Sequence, residues 1–262
     1  MNILDKIVTQ KKIEVANKKL GVSIAQLEQS PAFSQQTFSL KQFLLDTERT
    51  GIIAEFKRKS PSKGIINDRV PVQEVTAAYA QSASGISVLT DSEFFGGSIA
   101  DLQQARFNPI PILRKDFMID EFQIVEARSI GADVILLIAA CLTPVEVKQF
   151  AGLAKRLGLE VLLEIHNEEE LGHICDEIDL VGVNNRNLKT FEVSIQTSLN
   201  LIHRIPTNKP AVAESGISNT DTIVTLHRAG FKGFLIGENF MKEPNPAIAF
   251  ADFVTQLKTK LV

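Results

Sequence analysis

The chain has 262 residues, 44% of them hydrophobic, with 28 basic and 31 acidic residues and a formal charge of −3. That length and apolar content suffice for one full core, and the near balance of dispersed charges excludes the broad basic face expected of a nucleic-acid-binding protein. Cys141 and Cys175 are too few for a disulfide framework, and neither they nor His166, His173, His203 and His227 stand at a metal-ligand spacing, so no metal is expected.

Residues 1–48 form a prelude without a clear strand. Ile3, Leu4, Ile7, Val8, Ile13 and Val15 make an interrupted apolar pattern among lysines, which reads as an amphipathic helix from Ile3 to Leu20. The segment lacks the apolar core of a signal peptide, and its Asp5 and Glu14, with no early Arg or Ser, do not fit a transit peptide. The longest apolar run, Val134 to Leu142, is about half a membrane span, so no membrane segment is expected and the location is read as a reducing cytoplasm. Ser30-Pro31 and the Phe33 to Phe38 stretch suggest a connector to a further short helix. Because an amphipathic helix needs a surface to cover, residues 1–48 are expected to pack near the rim of the following domain and to help hold substrate.

A regular pattern starts at Gly51. Apolar runs at Ile52 to Phe56, Ile86 to Leu89, Ile110 to Leu113, Val134 to Ile138, Leu159 to Leu163, Leu180 to Val183, Ala211 to Ala213 and Phe234 to Ile236 make eight candidate strands. Amphipathic segments lie between them, at Val72 to Ser82, Glu121 to Ser129, Pro144 to Leu157, Ile195 to His203 and Thr220 to Ala229, with a last helix at about Ala247 to Leu261. Gly85, Gly131, Gly158 and Gly230 are read as left-handed helix ends, and Asp101, Thr143-Pro144 and Ser218 as helix starts. Strand starts spaced by roughly 20 to 35 residues match a βα repeat, and near-continuous apolar strands favour a parallel sheet covered on both faces. The expected fold is α/β: one domain, a (β/α)₈ TIM barrel over residues 49–262 with 1–48 as its helical extension. An open doubly wound sheet is the rival, but no strand leads into a Gly-x-Gly-x-x-Gly turn.

Barrel chemistry occurs at the C-terminal ends of the strands, and here nearly every end is polar. Strand one ends in Glu55 and Lys57, which alternation points the same way; it is followed by the Ser60-Pro61-Ser62-Lys63-Gly64 loop. Thr90-Asp91, Arg114-Lys115-Asp116, Glu164, Asn184-Asn185-Arg186, Glu214-Ser215-Gly216 and Gly237-Glu238-Asn239 end six others, and only strand four stays apolar. A single such charge is more often solvated than catalytic, but several converging on one rim can tune one another's proton affinity toward neutrality. Lys115 shares a face with Leu113, which leaves Arg114 to an outward salt bridge. The glycines after strands seven and eight, Gly216 and Gly237, stand where barrels commonly bind phosphate through backbone N–H groups, and otherwise make tight turns. Ser60 could add a hydroxyl, while Glu238 is expected to lend its backbone and turn its carboxylate away. Phe94 and Phe117 are reasonable walls for an aromatic substrate, with Phe95 read as loop packing. His166 is read as an ordinary loop histidine.

These blocks, in order, resemble one family. Ile53-Ala54-Glu55-Phe56-Lys57-Arg58-Lys59-Ser60-Pro61-Ser62, Ser87-Val88-Leu89-Thr90-Asp91 with Phe94-Phe95-Gly96-Gly97-Ser98, Leu113-Arg114-Lys115-Asp116-Phe117, Leu162-Leu163-Glu164, Gly182-Val183-Asn184-Asn185-Arg186-Asn187-Leu188, Ala213-Glu214-Ser215-Gly216-Ile217 and Leu235-Ile236-Gly237 are similar to indole-3-glycerol phosphate synthase of tryptophan biosynthesis. The resemblance covers essentially the whole chain. It implies ring closure of 1-(2-carboxyphenylamino)-1-deoxyribulose 5-phosphate with loss of CO₂ and water, without a cofactor. It further implies that Lys115 is a general acid at the substrate carbonyl, that Glu164 moves a proton during dehydration, and that Lys57 meets the anthranilate carboxylate and divides acid duty with Lys115. Glu55 and Asn184 would orient these groups, Glu214 and Ser215 would hold the substrate, and Arg186 would line the anionic end. Phosphate would sit near Ser60, Gly216 and Gly237. No fused phosphoribosylanthranilate isomerase barrel is expected, and another chain would supply that step. Three rivals stay open: that isomerase, which would carry a cysteine where Glu55-Phe56-Lys57 stands; a Schiff-base aldolase, which needs a lysine free of carboxylates; and a barrel that only binds.

Overall fold

A computed structural model describes residues 3–188 and 190–261. The extension begins with α1 (Ile3–Gly21), α2 (Ile24–Glu28), a 3₁₀ turn at Pro31–Ser34 and α3 (Leu40–Leu45). Eight strands then alternate with helices: β1 (Ile52–Phe56), α4 (Val72–Ala80), β2 (Gly85–Leu89), α5 (Ile99–Ala105), β3 (Ile112–Lys115), α6 (Glu121–Ser129), β4 (Val134–Ile138), α7 (Pro144–Arg156), β5 (Glu160–Ile165), β6 (Leu180–Asn184), α8 (Gln196–Leu201), β7 (Ala211–Glu214), α9 (Thr220–Ala229), β8 (Gly233–Ile236), α10 (Glu238–Met241) and α11 (Pro246–Leu261). All eight pair in parallel with their sequence neighbours, and β8 pairs back onto β1, with Ile53 opposite Leu235, so the barrel closes. The expected single barrel is therefore observed.

Strand alternation sorts the side chains into two cores. Ile53, Leu113, Leu136, Leu162, Val212 and Leu235 fill the barrel interior, whereas Ile52, Ile112, Leu137, Val161, Ala213 and Phe234 face the helices. Leu40 and Leu44 of α3 belong to the inner cluster, so the second half of the extension plugs the end of the barrel opposite the polar strand ends. Gly85 is not a helix end, as the sequence suggests, but the first residue of β2. A Cβ there would come within 2.7 Å of Leu40 Cδ1, so the glycine admits the plug. Gly131, Gly158 and Gly230 have the expected positive φ. Helix starts shift slightly: Ser98, not Asp101, caps α5, and Asn219, not Ser218, caps α9, in each case through a side-chain oxygen that accepts a backbone N–H.

The inward stripe of α1 is Ile7, Lys11 and Val15, one residue per turn, and the lysine is as buried as its neighbours. Its ammonium lies 2.9 Å from both Asp91 and Asp116 and 2.7 Å from Glu14. Arg114, fully buried on the outer face of β3, reaches Asp116 at 3.2 Å and Glu126 of α6 at 2.6 Å and donates to the Gln123 carbonyl. The expected outward salt bridge is thus outward but sealed from water. Burial alone would lift the Asp116 pKa, but Arg114 and Lys11 outweigh it and hold that carboxyl at about 2.

Removing one partner of such a network leaves buried charge without compensation. Arg114→Met is therefore expected to cost ~3–5 kcal/mol in urea unfolding, whereas Arg204→Ala, which breaks the exposed pair with Glu168, is expected to cost less than ~1 kcal/mol.

Candidate active site

At the C-terminal ends of the strands a cleft of about 1040 Å³, counting its open mouth, has a floor of Glu55, Lys57, Lys115, Glu164, Asn184 and Glu214. Glu55, Lys115, Glu164 and Glu214 come from β1, β3, β5 and β7, the alternate strands whose inward residues share layers in an eight-stranded barrel. Space for them is cut out of their neighbours. A Cβ on Gly182 would stand 2.2 Å from Glu214 Oε1, and one on Gly237 would stand 2.6 Å from Glu55 Oε1.

Lys115 Nζ lies 3.1 Å from Glu164 Oε2 and 3.3 Å from Glu214 Oε2, and Lys57 Nζ lies 2.7 Å from Glu55 Oε1. Burial pulls the Lys115 ammonium down, but the carboxylates of Glu164, Glu214 and Glu55 outweigh it and hold its pKa above the ordinary lysine value. Burial works against ionisation of Glu164, yet Lys115 and then His166 bring its pKa below the usual carboxylate range. Glu214 goes the other way: burial, aided by repulsion from Glu164 and only partly opposed by Lys115, pushes it up to about 8. Neighbouring carboxyl groups driven apart in this way, beside one ammonium, suit acid and base roles. Both floor lysines are paired with carboxylates, which disfavours a Schiff-base nucleophile.

Asn184 donates to Glu164 Oε1 at 3.2 Å, and its own oxygen accepts the Arg186 N–H at 3.0 Å. Asn185, which the sequence left without a role, turns outward and donates to the Ser215 carbonyl while accepting from Ser198. It thereby braces Ser215, which has a left-handed φ of 64° ahead of Gly216 at 75°. Arg186, Ser215, Gly216, Gly237, Glu238 and Lys242 surround a second recess continuous with the cleft. Glu238 lines both spaces, its carboxylate 3.8 Å from Lys63. Ser60 lines the cleft and is nearly buried.

The aromatic walls are Phe117 and Phe95, with ring centroids 6.0 Å apart. Phe94, expected as a wall, does not line the cleft: the turn in which Asp91 accepts both the Phe94 and Phe95 N–H groups gives that place to its neighbour. Ile3, Leu4 and Ile7 of α1 cover one side, so of the extension, expected as a whole at the rim, α1 packs there while α3 lies at the opposite end of the barrel. Leu188 and Phe191 complete the mouth, with Phe191 at a positive φ of 60°. His166 is not an ordinary loop histidine, since its Nε2 stands 3.2 Å from Glu164 Oε1. Among the described residues no group of three or more His, Cys, Asp or Glu side chains is placed to hold a metal ion, and no helix is long and apolar enough to cross a membrane.

The family model for indole-3-glycerol phosphate synthase matches residues 4–253. Curated relatives of that name include one from Bacteroides thetaiotaomicron, 45% identical over 98% of this chain and 99% of its own, and one from Polynucleobacter asymbioticus, 44% identical over 96% and 98%. The chain belongs to the indole-3-glycerol phosphate synthase family. Its activity is the carbon–carbon lyase reaction that closes an indole ring with loss of CO₂ and water, a step of tryptophan biosynthesis. Among solved structures, the tryptophan synthase α-subunit of Pyrococcus furiosus is similar at a TM-score of 0.61 and 16% identity, over 81% of this chain and all of that one, a likeness of fold. Phe95 and Phe94 carry no signal in the sequence that separates them. Lys11, outside the cleft, was missed, though it stands at helical spacing between Ile7 and Val15.

The raised pKa of Glu214 has a stability consequence. Its unfolded value is near 4.5 and its folded value about 8, so folded protein binds the extra proton between these limits and loses stability as pH rises through them. Glu214→Gln removes that loss. In urea titrations its unfolding free energy is expected to gain on wild type steadily from about pH 5 to about pH 9, and a constant difference would contradict the assignment.

Proposed function

We propose that the synthase reaction runs on the Lys115, Glu164 and Glu214 cluster, with the anthranilate ring against the wall that Phe95 and Phe117 form together and the phosphate in the recess of Ser215, Gly216 and Gly237. The observation that carries this reading is a half-buried lysine amine shared between two carboxyl groups at the base of an aromatic-walled cleft. Lys115 protonates the substrate's keto oxygen as the ring carbon bearing the carboxylate attacks the keto carbon. A hydroxyl forms there, and the carboxylate leaves as CO₂, its bonding electrons restoring the aromatic ring. Glu164 then mediates proton transfer as that hydroxyl departs as water and the adjacent methylene loses a proton, which leaves the indole double bond. Lys57, set by Glu55, meets the anthranilate carboxylate and divides the acid work with Lys115.

Asn184 orients Glu164, Glu214 and Ser215 hold the substrate's hydroxyl-bearing chain, and Arg186 lines the anionic end. Ser60 adds a hydroxyl donor and Glu238 its backbone N–H. Gly216, at a φ of 75°, favours this use, since a residue without a side chain lets the backbone approach an anion closely. No cofactor enters the scheme, and the enzyme works in the cytoplasm.

Lys115→Met and Glu164→Gln are each expected to lower kcat by ~10²–10⁴ while KM changes far less, as read by indole fluorescence. A Lys115→Met variant within tenfold of wild type would overturn the assignment.

A further inference from the structure

His166 stands one residue beyond β5, on the far side of Glu164 from Lys115, and does not line the cleft. Its side chain is 9% exposed. Nε2 lies 3.2 Å from Glu164 Oε1, close enough for an ion pair although off the hydrogen-bond axis, and Nδ1 lies 3.2 Å from Glu170 Oε2. Glu170 is itself built in: its Oε2 also accepts the His166 backbone N–H at 2.7 Å, its Oε1 accepts from Asn167 Nδ2 at 3.0 Å, and its own N–H goes to Asn167 Oδ1. The sequence His166-Asn167-Glu168-Glu169-Glu170 therefore folds into a clasp that holds one imidazole between two carboxylates. Of the three consecutive glutamates, only the last takes part.

We propose that His166, held by Glu170, is a positioning residue that fixes Glu164 by one oxygen and keeps it ionised, so that the other oxygen faces Lys115 and the substrate. The inference rests on Glu164 acting in proton transfer. The division of its oxygens supports it: His166 and Asn184 both address Oε1, while Lys115 addresses Oε2. Turning the carboxylate would forfeit both the Asn184 hydrogen bond and the imidazole contact on Oε1, and a cation on that side lowers its proton affinity without occupying the reacting side.

The charged surroundings favour a cationic ring. Facing it are Glu164 from β5 and Glu170 from the turn after it. Lys115 of β3 stands beyond Glu164, and the Cys141 thiol after β4 is pushed up to about 12 by burial, aided by these same two carboxylates. His173, with ring nitrogens 3.1 Å and 3.0 Å from the Glu170 and Leu142 carbonyls, closes the far side. Burial alone would discharge the imidazole, but Glu164 and Glu170 outweigh it and carry its pKa to about 10.

The test pairs a spectroscopic readout with a kinetic one. Imidazole ¹⁵N spectra of the substrate-free enzyme, assigned by the signal lost in His166→Gln, are expected to show this ring doubly protonated at about pH 8, well above the ordinary histidine pKa. In the pH profile of kcat, His166→Leu is expected to move the acid limb upward by about one unit or more and to lower kcat about tenfold near neutrality, with KM little changed. His166→Gln, which keeps a donor without the charge, should recover part of kcat but not the position of the limb. Should His166→Leu fail to fold, His166→Gln and Glu170→Gln decide the question by the same shift. A ring that titrates near its ordinary value, or variants whose limb coincides with wild type, would overturn the proposal. Failure of the Glu164 reading is separable: Glu164→Gln would then retain turnover even with the His166 ring protonated.

Discussion

An ammonium half-buried at the top of an apolar barrel must be compensated where it stands, and much of the site follows from that requirement. Lys115 rises from an interior of Leu113, Leu136 and Leu162, in which an unpaired charge would not remain ionised. Glu164 and Glu214 meet it from two other strands. Two compensating carboxylates in one layer repel each other, which raises the proton affinity of Glu214, whose Oε1 has no hydrogen-bond partner among the described residues. Glycines at 182 and 237 then become obligatory, because the carboxylates occupy the space their side chains would fill.

The same strand carries a second network on its other face. Arg114 and Asp116 flank Lys115 and turn outward, where they bind Glu126 and Lys11 and so tie β3 to both α6 and α1. Asp116 is bonded to the N-terminal helix and adjacent in sequence to the proposed acid. Its fixed position links the extension that covers the cleft to the strand end that carries the chemistry. The extension serves twice, since α3 closes the opposite end of the barrel with Leu40 and Leu44.

Periodicity made much of this legible. Alternation correctly set Glu55 with Lys57 and separated Lys115 from Arg114, because strand geometry leaves no other choice. The fold was legible from recurrence: eight apolar runs at a βα spacing, all but the fourth ending in polarity. What escaped were features decided by packing between distant segments. Whether Phe94 or Phe95 enters the cleft depends on how Asp91 caps one turn. That Gly85 is a packing glycine depends on where Leu40 arrives. His166 looked solvated because its partners, Glu164 and Glu170, lie on either side of it in a fold whose clasp no local pattern announces. Lys11 was missed as well, although its helical spacing between Ile7 and Val15 is a signal that could have suggested burial.

The account stands most directly on turnover by the intact wild-type chain. Purified protein would be given 1-(2-carboxyphenylamino)-1-deoxyribulose 5-phosphate without added metal or cofactor, with indole fluorescence and CO₂ release followed together. The chain contains no tryptophan to obscure the signal. The account predicts catalytic turnover with one CO₂ released for each indole ring formed. Absence of indole product, or CO₂ released without ring closure, would contradict it.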